Sequence, residues 1–107
     1  MNNLNYDVVI IGAGMVGGAL ASLLSRSGFS VALVEAREPQ PFDGGAEMGL
    51  RVSAISTGSA NILDQAGAWK ATSAQRVRPY RRMQVEDGVE LEPLLFDAPL
   101  FNLERLG

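Results

Sequence analysis

The chain has 107 residues, 47% apolar and 20% charged, enough for one modest domain with a packed core and too apolar for a disordered chain. Nine basic against twelve acidic residues give a net charge of −3, which argues against a nucleic-acid partner, since such binders carry a basic face. Cysteine and histidine are both absent, which excludes disulfides, thiol nucleophiles and the commonest general base and metal ligand, so any chemistry must come from a bound cofactor or from residues outside this segment.

Met1 to Tyr6 has no basic n-region, and the apolar run Val8 to Leu24 is broken by Gly12, Gly14, Gly17, Gly18 and Ser22. Neither a signal peptide nor a membrane span is expected, and the reading is a cytoplasmic protein. Tyr6 to Ile11 (YDVVII) is short, β-branched and apolar, as a strand buried on both faces of a parallel sheet would be. Met15 to Ser27 follows with apolar residues at Val16, Ala19, Leu20, Leu23 and Leu24, offsets of three and four that mark one helix face. Gly28, after Arg26 and Ser27, suits a left-handed C-terminal cap. Val31 to Glu35 (VALVE) is a second short strand. Strand, tight turn, helix and strand together make a βαβ unit with a parallel crossover.

The turn of that unit, Gly12-Ala13-Gly14-Met15-Val16-Gly17, fits G-x-G-x-x-G. Gly12 allows the sharp exit from the strand, Gly14 lets backbone approach a pyrophosphate, and Gly17 lets the helix lie close to the strands. Free amides near Met15 and Val16 point at the phosphates, helped by the helix dipole. Glu35 stands at the end of the second strand, where a carboxylate accepts hydrogen bonds from ribose hydroxyls and repels a 2′-phosphate. The pattern means dinucleotide, adenosine end, because it sits between a strand and a helix and is followed by a strand ending in an acid.

Arg37 to Gly49 holds Pro39, Pro41, Gly44, Gly45 and Gly49 and reads as a mobile loop. A plain NAD domain continues soon into another βα unit, whereas here the loop leads to Arg51 and a helix, which favours a flavin. Ser56 or Thr57 caps a helix over roughly Gly58 to Ala66 that stops at Gly67, and Trp69 adds an apolar anchor. Arg76, Arg78, Arg81 and Arg82 surround Pro79-Tyr80 and read as a solvated face, or as packing against further protein. Arg82 to Glu86 is a strand with one wet face, Asp87-Gly88 a turn, and Leu94 to Phe96 a partner strand. Two or three strands do not complete a doubly wound sheet, so residues 1–107 are expected to be the N-terminal part of a larger FAD-binding domain.

Three stretches carry a resemblance: YDVVIIGAGMVGGALASLLSRSGFSVALVEAR, LRVSAISTGSANILDQAGAW and PYRRMQVEDG. Together they resemble the ubiquinone-biosynthesis hydroxylases, FAD-dependent aromatic monooxygenases related to p-hydroxybenzoate hydroxylase. The resemblance implies an α/β fold class: a Rossmann-like FAD-binding βαβ unit of a p-hydroxybenzoate-hydroxylase-like fold, truncated. It assigns Gly12, Ala13, Gly14, Met15, Val16 and Gly17 to the FAD fingerprint, Glu35 to the ribose, Ala36 and Arg37 to the adenosine surroundings, and Arg51 to an arginine that reaches FAD after the loop. It implies FAD as cofactor, NAD(P)H as transient reductant, and O2-dependent hydroxylation of an aromatic or quinone-precursor substrate, with a polyprenyl phenol suggesting association with the inner membrane or a biosynthetic complex. Asn102 to Gly107 looks like the start of a later strand. The family's second FAD motif, of G-D type, its substrate-covering sheet and any catalytic acid or base have no match here, so the 107 residues alone are expected to be inactive and to bind FAD weakly at best. An NAD-dependent dehydrogenase and a non-catalytic nucleotide-binding fragment stand as alternatives.

Overall fold

The computed structural model describes residues 4–89 and 92–107, a mixed arrangement of helices and short strands. Strand β1 (Val8–Ile11) leads into helix α1 (Met15–Arg26), which returns to strand β2 (Val31–Val34). β1 and β2 pair in parallel, from Val8 opposite Val31 to Ile11 opposite Val34. The expected strand Tyr6 to Ile11 starts later because Asp7 does something else. Its carboxylate accepts from the Ser30 amide and hydroxyl, both at 2.8 Å, while its own amide donates to the Ser30 carbonyl at 3.0 Å. This reciprocal pair locks the open end of the crossover and fixes the register.

Beyond a long loop come helix α2 (Thr57–Gln65), the short helix α3 (Trp69–Ser73), strands β3 (Arg82–Val85) and β4 (Leu94–Asp97), and a 3-10 turn over Ala98–Phe101. β3 and β4 are antiparallel, as the Asp87-Gly88 turn and the flanking strand patterns require, and an ion pair of 3.0 Å joins Arg82 to Asp97 at their paired ends. The Ser56 hydroxyl caps α2 by accepting from the Ser59 amide at 3.2 Å.

Both longer helices end in the same way. The Phe29 amide donates to the Leu24 carbonyl and Gly28 to Ser25, and Ala68 donates to Leu63 and Gly67 to Asp64. Gly28 (φ +94°) and Gly67 (φ +83°) take the left-handed position of these Schellman caps. The α3 helix was not expected. Trp69 opens it instead of filling a core, and it is only half-buried.

α1 lies against β1 and β2 and is leaned on by α2. The close approach of α1 to the strand end is made by backbone: a Cβ on Gly17 would collide with the Gly12 carbonyl oxygen, with Ile10 just behind it. Burial is sparse. Among the described residues only Ile10, Ala60, Ala66 and Ala98 form a core, while Val9 and Ile11 are 59% and 86% exposed. The expectation that β1 is covered on both faces therefore fails, because β1 has a single neighbouring strand and α1 covers only part of it. The radius of gyration, 18.1 Å, exceeds the about 13 Å of a compact chain of this length. No helix among the described residues is long and apolar enough to cross a membrane.

Two neighbouring glycines of α1 separate these effects. Gly17→Ala forces a methyl onto the Gly12 carbonyl and should cost about 1–3 kcal/mol of stability. Gly18→Ala points into open space and should gain about 0.5–1 kcal/mol by raising helix propensity. Urea unfolding of the two variants checks both signs.

Candidate functional site

The parallel register sets the site. With Ile11 opposite Val34, the next residues, Gly12 and Glu35, emerge side by side at the same sheet end. The Gly12 amide extends the ladder by one bond, 2.7 Å to the Val34 carbonyl. Gly12 then turns the chain out of the strand at φ +103°, a conformation that a side chain would strain. This turn aims the Ala13 amide at the Glu35 carboxylate, and the Ala13 amide nitrogen lies 2.7 Å from Oε2. The other oxygen accepts from the Ala36 amide at 3.0 Å.

Bonds from the Ala13 amide first, and from the Arg37 and Ala36 amides, lower the Glu35 carboxyl below the usual carboxylate value. Glu35 is therefore ionised at neutral pH, exposed, and tied to the glycine turn. The spacing to the ribose-binding position suggested contact with a hydroxyl; the bond to Ala13 was not foreseen. It becomes readable only once the strand register is known.

α1 starts beside this carboxylate. Gly14 is its N-cap in extended conformation, without a side-chain capping bond and with no acid in the first turn. The first bond within the helix runs from the Gly18 amide to the Gly14 carbonyl, 2.8 Å. The amides of Met15, Val16 and Gly17 thus face outward at the positive end of the dipole. A Cβ on Gly14 would meet nothing within 4 Å, so the space in front of it is open to a ligand. Donors for an anion and an ionised acceptor for hydroxyls stand together, the pair of features that a nucleoside diphosphate requires.

The remaining predicted residues are placed differently. Ala36 and Arg37 follow Glu35 on the exposed surface and contribute backbone amides to its carboxylate. Arg51 is exposed in the irregular segment before α2, and no hydrogen bond or ion pair among the described residues joins its side chain to the glycine turn or to Glu35. The apolar stripe of α1 does not close a core. With α2 and the 53–55 segment it lines an open cleft of about 410 Å³, bordered by Met15, Val16, Leu20, Ile55, Ile62 and Leu63.

Two arginines of the run have partners that the sequence does not reveal. Arg82 pairs with Asp97, and Arg76 donates to the carbonyls of Gly44 and Ala46 in the glycine-rich loop. All four arginines are exposed, in keeping with the solvated face expected, and these two also find partners within the chain. The loop, expected to be mobile, is tied at its middle.

Comparison with known proteins adds a family to this geometry. The profile of the family described as FAD binding domain matches residues 5–92. The chain is 41% identical to 3-demethoxyubiquinol 3-hydroxylase of Escherichia coli over 107 residues, covering all of this chain and 27% of that protein. It is 44% identical to the mitochondrial ubiquinone biosynthesis monooxygenase COQ6 of Xenopus tropicalis, with 95% of this chain and 23% of the relative covered. The ubiquinone hydroxylase UbiL of Rhodospirillum rubrum is 34% identical over 82 residues, covering 77% and 19%. The chain thus spans about a quarter of the length of the curated relatives it matches.

The lowered carboxyl of Glu35 fixes a pH dependence. A group whose pKa is depressed by folding stabilises the fold above its unfolded value, and that contribution is lost as pH falls through the folded value. The loss should fall on the acid side of the ordinary carboxylate range. Glu35→Gln should flatten that part of the stability-against-pH curve, and Asp7→Asn should do the same, since the Ser30 amide and hydroxyl lower Asp7 likewise. Unfolding midpoints taken stepwise into acid, together with carboxyl NMR titration, read both. An unaltered acid limb in Glu35→Gln would remove the Ala13 bond from the account.

Proposed function

This chain belongs to the FAD binding domain family, and from that premise we propose that Gly12 to Gly17 and Glu35 hold the ADP half of FAD in a flavin-dependent aromatic hydroxylase. The supporting observation is the juxtaposition of an uncapped helix start with an ionised carboxylate fixed to the same turn. We propose further that the βαβ unit is the Rossmann-like start of a p-hydroxybenzoate-hydroxylase-like fold, with residues 1–107 as part of its FAD domain. The relatives whose names specify ubiquinone biosynthesis or demethoxyubiquinol hydroxylation support a quinone precursor with a polyprenyl tail as substrate. Such a substrate is membrane-borne, so the full-length protein is proposed to work from the cytoplasm at the inner-membrane surface.

The residues divide the work by charge. The amides of Met15 and Val16 and the α1 dipole bind and orient the pyrophosphate, at about 0.3–1 kcal/mol for the dipole at an exposed site. Gly14 permits the close approach, and Gly17 keeps the helix start against the strand. Glu35 accepts from the ribose hydroxyls with the lone pairs left over from its amide bonds, and its charge disfavours a 2′-phosphate. Ala36 and Arg37 flank the adenosine, and Arg51 reaches the cofactor from beyond the loop. Bound FAD supplies the redox chemistry, with NAD(P)H as transient reductant and O2 as oxygen source. None of the chain's own residues is assigned as acid or base. An NAD-dependent dehydrogenase would use the same βαβ unit, but the loop and capped α2 that follow Glu35, and the family match across them, favour the flavin.

The full-length protein should purify yellow, with a flavin spectrum released on denaturation. Colourless protein that binds NAD in titration overturns the reading. Gly14→Val should abolish FAD uptake by blocking the approach of backbone to pyrophosphate. Glu35→Ala should weaken FAD by about 1–3 kcal/mol, roughly 5- to 150-fold in Kd, read by quenching of flavin fluorescence.

A further inference from the structure

The loop between Glu35 and Arg51 is rich in proline and glycine and exposed throughout, yet it is tied to a distant part of the chain. Asp43 builds a turn inside it: its carboxylate accepts from the Gly45 amide at 2.9 Å, and its carbonyl accepts from the Ala46 amide at 3.3 Å. The turn presents the carbonyls of Gly44 and Ala46 together, and a single nitrogen, Nη2 of Arg76, donates to both. Arg76 lies 30 and 32 residues further along the chain, just past the end of α3, where the Gln75 amide is held by the Thr72 carbonyl and the Val77 amide by the Gln75 carbonyl.

The result is a closed circuit. The chain leaves β2 at Glu35, runs through the loop to Arg51, enters α2 at the Ser56 cap, passes through α3, and returns by Arg76 to the middle of the same loop. α2 in turn leans on α1, whose first turn forms the glycine site. Bonds from a guanidinium, a charged donor, to carbonyls are stronger than neutral ones. The clip divides one long excursion into two short ones, with Arg51 only five residues beyond Ala46.

We propose that Arg76 is a positioning residue for the flavin site: by clipping the Gly44 and Ala46 carbonyls it fixes the loop between Glu35 and Arg51, and so sets the reach of Arg51 toward the cofactor. The role rests on the flavin reading given above. Arg76 itself touches neither cofactor nor substrate, and it acts through Arg51.

The test uses the full-length protein with Arg76→Gln, Arg76→Lys, Arg51→Ala and the double variant Arg76→Gln/Arg51→Ala. Amide hydrogen exchange without flavin reads the clip, and the Kd for FAD with the visible circular dichroism of bound flavin reads its use. Arg76→Gln should speed exchange at Gly45 and Ala46, raise the Kd by roughly two- to tenfold, and alter the flavin dichroism. Arg76→Lys should restore all three, because one nitrogen makes both bonds. The double variant should bind no more weakly than Arg51→Ala, since both changes remove one interaction. Unchanged exchange in Arg76→Gln overturns the clip. Faster exchange with unchanged Kd and dichroism, or additive losses in the double variant, overturns its role at the cofactor. Failure of the wild-type protein to take up FAD overturns the flavin reading instead, and the exchange difference would then mark a structural clip only.

Discussion

Parallel strands cannot be joined by a hairpin, so everything at the glycine turn depends on how α1 brings β2 back beside β1. The register is closed at one end by the exchange of hydrogen bonds between Asp7 and Ser30. At the other end that register leaves Gly12 and Glu35 abreast, so the first amide after the turn, that of Ala13, meets a carboxylate. Shifting β2 by one residue would put Glu35 out of reach and send every side chain of the strand to the opposite face. The chemistry of the site is thus a consequence of strand pairing some distance from it.

That pairing produces two opposite electrostatic surfaces within one turn. Outward-facing amides at the start of α1 present partial positive charge, and Glu35 presents a full negative charge. A phosphate alone would be repelled by the carboxylate, and a sugar alone would find little at the helix end. The two surfaces together call for a ligand that carries both an anion and hydroxyl donors. Glu35 meets its own desolvation cost with backbone amides, so its charge is in place before any ligand arrives. The open cleft between α1 and α2 and the exposed faces of Val9 and Ile11 show that the described residues build this corner without enclosing it.

Local signals in the sequence translate well into this structure. Gly28 and Gly67 stop their helices where a left-handed residue is needed, Ser56 caps α2, and the strands on either side of Asp87-Gly88 pair. Each of these rests on the conformational preference of one residue or on a short pattern. Burial was misread because an apolar strand declares only that it suits a covered position, not that other elements cover it. Helix α3 has five residues, no side-chain cap and an αR residue in front of it, so no periodicity could reveal it. The Arg76 bonds end on backbone carbonyls, which every residue possesses, so no residue type marks their location. Glu35 was legible as an acid at a strand end, whereas its bond to Ala13 depends on the relative position of two strands.

The contact that seats α1 on the strand end brings backbones together, Gly17 over the Gly12 carbonyl, with the Ile10 side chain behind them and no side chain of α1 between. Geometry and surface are therefore separable in this helix. The side chains of Met15, Val16 and Leu20 face the cleft, are exposed, and stand apart from the contact that aligns the glycine turn. Evolution or a protein engineer can vary their volume and polarity, and so reshape whatever packs above the turn, while the seat of the helix start on the strand end is left unchanged.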